Sequence, residues 1–333
     1  MVKNSGSIKK ENLLFSPRLK KAVTTIITRN LGLVTDDSLL IIYDAKKVEL
    51  AKIFSAIAYK FNISTKSIKI PIAKVNGAEP SAKVAKKVKE CSAAIFLTEK
   101  SLSHTKARRD ATNMGVRIAS MPGVTKTILK RSIDVDYDKL KEDSKNLASK
   151  LNKAIKVRII TKLGTDISFS IGKRKAHGLS AGIYDTKGKW GNLPEGEIFI
   201  APVEGTAEGH FVVDGSIAGF GKIVHPLIFI VKKGEVVKIM NGKKPPALEE
   251  LLDSIGKKAR NIAEFGIGLN RKAKVTGIVL EDEKAYGTCH IALGNNIGFG
   301  GKVDVPLHID CVIRKPTIYL NNKIIMKKGR LIL

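Results

Sequence analysis

Residues 38–61 read SLLIIYDAKKVELAKIFSAIAYKF. The opening SLLIIY is a short apolar run closed by Asp44, as expected of a strand. Leu50, Ile53, Phe54 and Ile57 then recur three and four apart, the spacing of an amphipathic helix. The same unit repeats downstream. IKIPIA (68–73) is strand-like and AEPSAKVAKKVKEC (78–91) is helical with an early proline. AAIFLT (93–98) is again a strand, followed by polar SLSHTKARRDATNMG (101–115) and then VRIASMPG (116–123). Strands alternating with helices predict an α/β layer with a mostly parallel sheet. Neither GxGxxG nor GxxxxGK[ST] follows any of these strands, so nucleotide binding has no motif behind it.

Outward from this block the texture changes. VDYDKLKEDSKNLASKLNKAI (135–155) predicts one polar helix joining two halves. KVRIITKLGTDISFSIG (156–172) predicts a hairpin turning at Leu163-Gly164. PLIFIVKKGEVVKI (226–239) and PTIYLNNKIIMKKGRLIL (316–333) repeat the pattern around Lys-Lys-Gly and Asn-Asn turns. A helix over ALEELLDSIGKKARNIA (247–263) interrupts the strands. The expected organisation is an α/β domain over 1–152 and an α+β domain with largely antiparallel sheet over 153–333.

A chain of 333 residues with 43% hydrophobic residues has enough apolar material for two cores. No apolar run approaches the length of a membrane span. The N-terminal MVKNSGSIKKENLLF lacks the continuous apolar stretch of a secretory signal, so a cytoplasmic protein is expected. Cys91, Cys289 and Cys311 form no CxxC pair. Because strand neighbours point to opposite faces, Cys289 and Cys311 are expected to turn away from His290 and Asp310. Lys plus Arg is 59 against 31 for Asp plus Glu, a net charge of +28. The lysines are scattered as short pairs and aromatics make up only 5%. That pattern fits a solvated surface with nonspecific adhesion to polyanions better than a nucleic-acid platform.

Chemistry concentrates in the second half. In NLPEGEIFIAPVEG (192–205), Glu197 stands at a strand entrance, whereas Glu195 and Glu204 read as solvated. In NIAEFGIGLN (261–270), Glu264 lies inside an apolar run, with Gly266 and Gly268 close by. A carboxylate taken from water needs a cation or several donors, and one of the many lysines is the plainest candidate. DEKAYGTCHIALGNN (282–296) supplies Glu283 and His290. In VPLHIDCVI (305–313), His308 and Asp310 are two apart and share one strand face. Imidazole and carboxylate together on an apolar face form a ligand pair for zinc, cobalt, manganese or iron.

The blocks NLPEGEIFIAPVEG, AEFGIGLN, DEKAYGTCHIALG and HID, with GTDISFSIG and KWGNLP upstream, resemble the metallo-aminopeptidases typified by aminopeptidases T and S. The resemblance covers residues 155–333. It implies a dimeric exopeptidase in which two divalent ions (Zn, Co, Mn or Mg) activate a water against a peptide substrate. Glu197, Glu264, His290, His308 and Asp310 would be ligands, Glu264 would be shared between the ions, and Glu283 would be a ligand or proton carrier. The family's tyrosine after the metal-binding histidine has no counterpart in GNNIGFGG (294–301). Ring-opening dihydroxypyridine dioxygenases, which resemble these peptidases in sequence, are the alternative, with a single Fe(II) and a small-molecule substrate. A second alternative is a non-catalytic, nucleic-acid-associated protein.

Overall fold

The computed structural model describes residues 16–240 and 246–332; the N-terminal stretch read above for a secretory signal lies outside them. Strands β1 (Ser38–Tyr43), β2 (Ser64–Lys69), β3 (Ala93–Leu97) and β4 (Arg117–Ser120) run parallel in the order β2-β1-β3-β4. Helices Val48–Lys60, Ala82–Lys89 and Lys106–Asn113 connect them. Alternate residues serve opposite faces: Leu39 and Ile41 of β1 join one core cluster, Leu40 and Ile42 another. Burial on both sides is why β1 and β3 read as unbroken apolar runs. β2 starts earlier than the IKIPIA reading placed it. Pro71, which has no N–H to give a ladder, lies beyond its end.

Helix Tyr137–Lys153 leads to the hairpin β5 (Lys156–Ile160) and β6 (Asp166–Ser170). The chain then returns to the first half, where β7 (Trp190–Asn192) adds a fifth parallel strand beside β4. A cut after residue 152 thus leaves one strand of the parallel sheet on its far side.

β8 (Glu197–Ile200), β9 (Glu208–Val213), β10 (Ser216–Ile217) and β11 (Gly221–Lys222) follow, then the hairpin β12 (Leu227–Lys232) and β13 (Glu235–Met240). Helix Pro246–Ile255 ends sooner than the sequence reading had it. Gly256 breaks off at φ 94°, in the left-handed region that glycine enters freely; a 3-10 turn over Lys257–Arg260 follows, and β14 (Ile262–Gly268) takes the last residues. The last strands are β15 (Thr288–Gly294), β16 (His308–Arg314), β17 (Thr317–Leu320), β18 (Lys323–Lys327) and β19 (Arg330–Leu331).

These strands build two antiparallel sheets: six strands in the order β11-β10-β16-β15-β14-β8, and eight in the order β13-β12-β9-β6-β5-β17-β18-β19. The protein is therefore a parallel α/β half joined to a largely antiparallel α+β half. The two antiparallel sheets share one core, in which Phe265, Ile267, Ile291 and Leu293 meet Phe169, Phe211 and Phe229. Cys289 and Cys311 lie in it too, facing away from His290 and Asp310 as alternation requires. The halves are clamped together by Arg131. Its Nε and Nη2 donate to the two oxygens of fully buried Glu281 at 2.8 and 2.6 Å. Among the described residues no helix is long and apolar enough to cross a membrane.

Candidate metal centre

The face of the six-stranded sheet that turns away from the shared core carries a different set of side chains. Along β14 it presents Glu264, Gly266 and Gly268; along β15, His290, Ala292 and Gly294; along β16, His308 and Asp310; and at the start of β8, Glu197. Cross-strand register brings them level. His290 lies opposite Gly266, Glu197 opposite Gly268, Asp310 opposite Ala292 and His308 opposite Gly294. Each functional side chain thus faces a small residue, which leaves room above the strand.

Two of the glycines in NIAEFGIGLN are explained by close approach. A Cβ at Gly266 would stand 2.1 Å from the His290 ring, and one at Gly268 would stand 2.1 Å from the carbonyl oxygen of Ala285. Gly266 makes space for the imidazole, and Gly268 for the turn that delivers Lys284.

The five side chains expected to meet do so as a continuous string. Glu197 Oε2 is 3.5 Å from His290 Nε2, which is 3.2 Å from Glu264 Oε1. On the other side, Glu264 Oε2 is 3.3 Å from His308 Nε2, which is 3.4 Å from Asp310 Oδ1. Within the string, Glu264, His308 and Asp310 each offer one ligand atom within 4.8 Å of the other two. Two carboxylates and an imidazole are a donor set that suits a divalent transition metal. His308 is opened to solvent on one side and anchored by its Nδ1, 2.8 Å from the Asn295 carbonyl oxygen. That bond orients the ring so that Nε2 faces the carboxylates.

The electrostatics agree with a cation site. Burial opposes charging His290, but the Glu264 hydrogen bond and the negative charge of Glu197 outweigh it and lift the imidazole to about 9. Burial opposes charging His308 as well, yet Asp310 and Glu264 raise it above its ordinary value. Glu264 stays ionised despite burial because both imidazoles hydrogen-bond to it. The carboxylates therefore draw protons onto both rings, and a bound metal ion would displace them.

Glu283 stands apart from the trio. Its partner is Lys284, whose side chain is 2% exposed. Lys284 Nζ donates to Glu197 Oε1 at 2.5 Å and also to Glu283 Oε1. Burial lifts Glu283 to about 8; Lys284 offsets part of that rise, and Glu197 and Asp310 add to it. The lysine expected as a partner for Glu264 is thus engaged by Glu197 instead. Glu195, expected in solvent, is buried with the Tyr184 hydroxyl 3.3 Å from its Oε2. Glu204, also expected in solvent, pairs with Arg174 and accepts from Asn296 Nδ2 at 3.0 Å. Both corrections have one cause, since each carboxylate meets partners that its own segment does not announce, Tyr184 for Glu195 and Arg174 with Asn296 for Glu204.

Several further residues at the site were not singled out from the sequence. His104, in the loop after β3, lies edge-on to Trp190 with centroids 6.4 Å apart. Arg108 covers the Trp190 ring at 3.6 Å. Burial, followed by the charge of His308, lowers His104, and Glu264 partly offsets this, so His104 interacts with the trio from the parallel half. Phe299 packs edge-on to His308 at 5.9 Å and against His177 and Phe199. Isolated His and Phe in polar loops carry no periodic signal, so only the fold reveals them.

The sequence profile of the family described as NicX, 2,5-dihydroxypyridine 5,6-dioxygenase, matches residues 42–333. The 2,5-dihydroxypyridine 5,6-dioxygenase of Pseudomonas putida KT2440 is 26% identical over 220 residues. That match spans 61% of this chain and 61% of the relative. Among solved structures, the 2,5-dihydroxypyridine dioxygenase of Pseudomonas putida KT2440 superposes with a TM-score of 0.80 at 19% identity, covering 94% of this chain and 96% of the other. Wild-type AmpT of Thermus thermophilus superposes at 0.69 with 16% identity, covering 95% and 99%. At such identities these two likenesses establish a common fold. The expectation of a peptide-hydrolysing, two-metal aminopeptidase is overturned by the family match, which favours the dioxygenase alternative. The blocks that suggested the peptidase belong to a scaffold found in both kinds of protein. From residue 42 to its end, this chain belongs to the NicX, 2,5-dihydroxypyridine 5,6-dioxygenase, family.

Proposed function

We propose that this protein is a ring-opening dioxygenase acting on a hydroxylated pyridine, with a single ferrous ion held by Glu264, His308 and Asp310. The observation that carries the reading is the convergence of those three ligand atoms, within 4.8 Å of one another, in a member of this family. A ferrous ion there would supply the one-electron chemistry that dioxygen needs to react with an electron-rich ring. The reaction breaks one ring bond and leaves both atoms of dioxygen in the product.

The chain's own residues have separable tasks. Glu264 and Asp310 stay ionised and His308 is oriented through Asn295, which presents a pre-shaped donor set. Phe299, edge-on to His308, offers a flat apolar wall of the kind a planar ring prefers.

The test is direct. Full-length protein loaded anaerobically with Fe(II) is mixed with 2,5-dihydroxypyridine and air-saturated buffer. Oxygen uptake is expected in step with loss of the ring absorbance. Protein carrying a full complement of iron that consumes no oxygen with this compound or its ring-substituted analogues would rule the proposal out.

A further inference from the structure

The string of ligand-type side chains is longer than one metal ion needs. Glu264 is its midpoint. Oε2 faces His308 and the Asp310 side, whereas Oε1 faces His290 and, beyond it, Glu197. Taken by residue type alone, the second flank repeats the first, with one shared carboxylate, one further carboxylate and one imidazole. Glu197 Oε2 and His290 Nδ1 are buried without a hydrogen-bond partner among the described residues. The flanks differ in one respect. Beside Glu197 stands a lysine, buried almost completely, with its ammonium 2.5 Å from Glu197 Oε1 and also bonded to Glu283.

We infer that Lys284 is a built-in cation that takes the place of a second metal ion, holding Glu197 and His290 out of metal binding and setting the centre at one ion per chain. The inference rests on the proposed metal role of Glu264, His308 and Asp310.

Three observations carry it. First, the charge of the second flank is already balanced. A carboxylate at this depth requires a compensating cation, and an ammonium in contact with it supplies one without a ligand from solution. A divalent ion added there would meet a fixed positive charge in a region of low dielectric. Second, the lysine is positioned by the backbone, because the turn carrying it passes over Gly268, where any Cβ would collide with the Ala285 carbonyl oxygen. Asn270 holds the same turn from the other side: its N–H donates to the Lys284 carbonyl oxygen at 2.8 Å. Third, among the described residues no lysine or arginine pairs with Asp310 or Glu264 on the first flank. The groups around Asp310 Oδ1 and Glu264 Oε2 are the His308 imidazole and carboxylates, so that flank has room for an ion's charge and the second does not.

The experiment counts ions rather than turnovers. Full-length protein is stripped with a chelator and titrated with Mn2+, an air-stable probe. Bound metal is measured by elemental analysis, and its environment by electron paramagnetic resonance. Wild type is expected to bind one Mn2+ per chain however much is offered, with the spectrum of an isolated ion. Lys284→Met is expected to bind two, and sharing of Glu264 replaces the isolated-ion spectrum with that of a coupled pair. Lys284→Arg, which keeps the charge, stays at one. Two coupled ions in wild type, or one ion in a folded Lys284→Met protein, would overturn the inference while leaving the first-flank site standing. Wild type that binds none sinks both that site and the inference built on it. Where Lys284→Met fails to fold, Lys284→Met/Glu283→Gln removes one of the carboxylates left unpaired and is judged by the same count. The wild-type titration depends on neither variant.

Discussion

The two faces of the six-stranded sheet are made by the same strands, with the same hydrogen bonds, and share almost nothing else. Glu264 and Phe265 are neighbours in the chain. Phe265 packs into the common core of the antiparallel half, whereas Glu264 holds two histidines on the other side. On the apolar face, the requirement is volume, and residues are interchangeable within limits of size. On the polar face, the requirement is charge balance, and each group depends on particular partners. One strand can satisfy both because its side chains alternate with a period of two.

That contrast can be broken in a defined order. Glu264→Gln is expected to lower oxygen uptake more than about a hundredfold, to release the metal, and to cost about 3 kcal/mol of stability because both buried imidazoles lose their carboxylate partner. Elemental analysis and a melting curve on one sample check both. Phe265→Ala, one residue along, should destabilise without that loss of metal. Removing a fully buried ring costs about 4 kcal/mol in denaturant unfolding, while the folded fraction keeps its metal. If the two variants behave alike, the faces are not independent.

The polar side is also the pH-sensitive one. Burial is the main reason that Glu195 rises from 4.5 to about 7, with Lys284 pulling it down and Glu197 pushing it up. Between those values the folded chain holds a proton the unfolded chain has lost, so stability falls as pH rises through that window. Glu195→Gln should flatten the slope, by on the order of 3 kcal/mol across the window. An unchanged profile of stability against pH would show that Glu195 titrates normally. The smallest effect is expected at Gly266. Gly266→Ala forces a methyl against the His290 ring and should cost about 2 kcal/mol, with weaker metal retention, and metal-binding titrations read the second part.

Much of this molecule could be read in its sequence because it depends on periodicity. The apolar runs at 38–43 and 93–97 and the helical spacing between them determined the parallel half. The turns around Leu163-Gly164 and Lys233-Gly234 determined hairpins of the antiparallel half, and the spacing of His308 and Asp310 determined that they share a face. These are local properties, set by backbone geometry over a few residues. The family blocks likewise located the strands that carry the site, but they belong to a scaffold used for more than one reaction and so pointed first to a peptidase.

What the tertiary structure alone decided is which charged group answers which. Nothing local in DEKAYGTCH says that Lys284 reaches Glu197, 87 positions away, or that Glu283 stays outside the trio. Nothing in SLSHTKARR says that the charges of His308 and Glu264 act on His104 from the other half. Electrostatic partnership depends on distance and burial in space, and a chain's order of residues determines neither until the sheets have paired and packed.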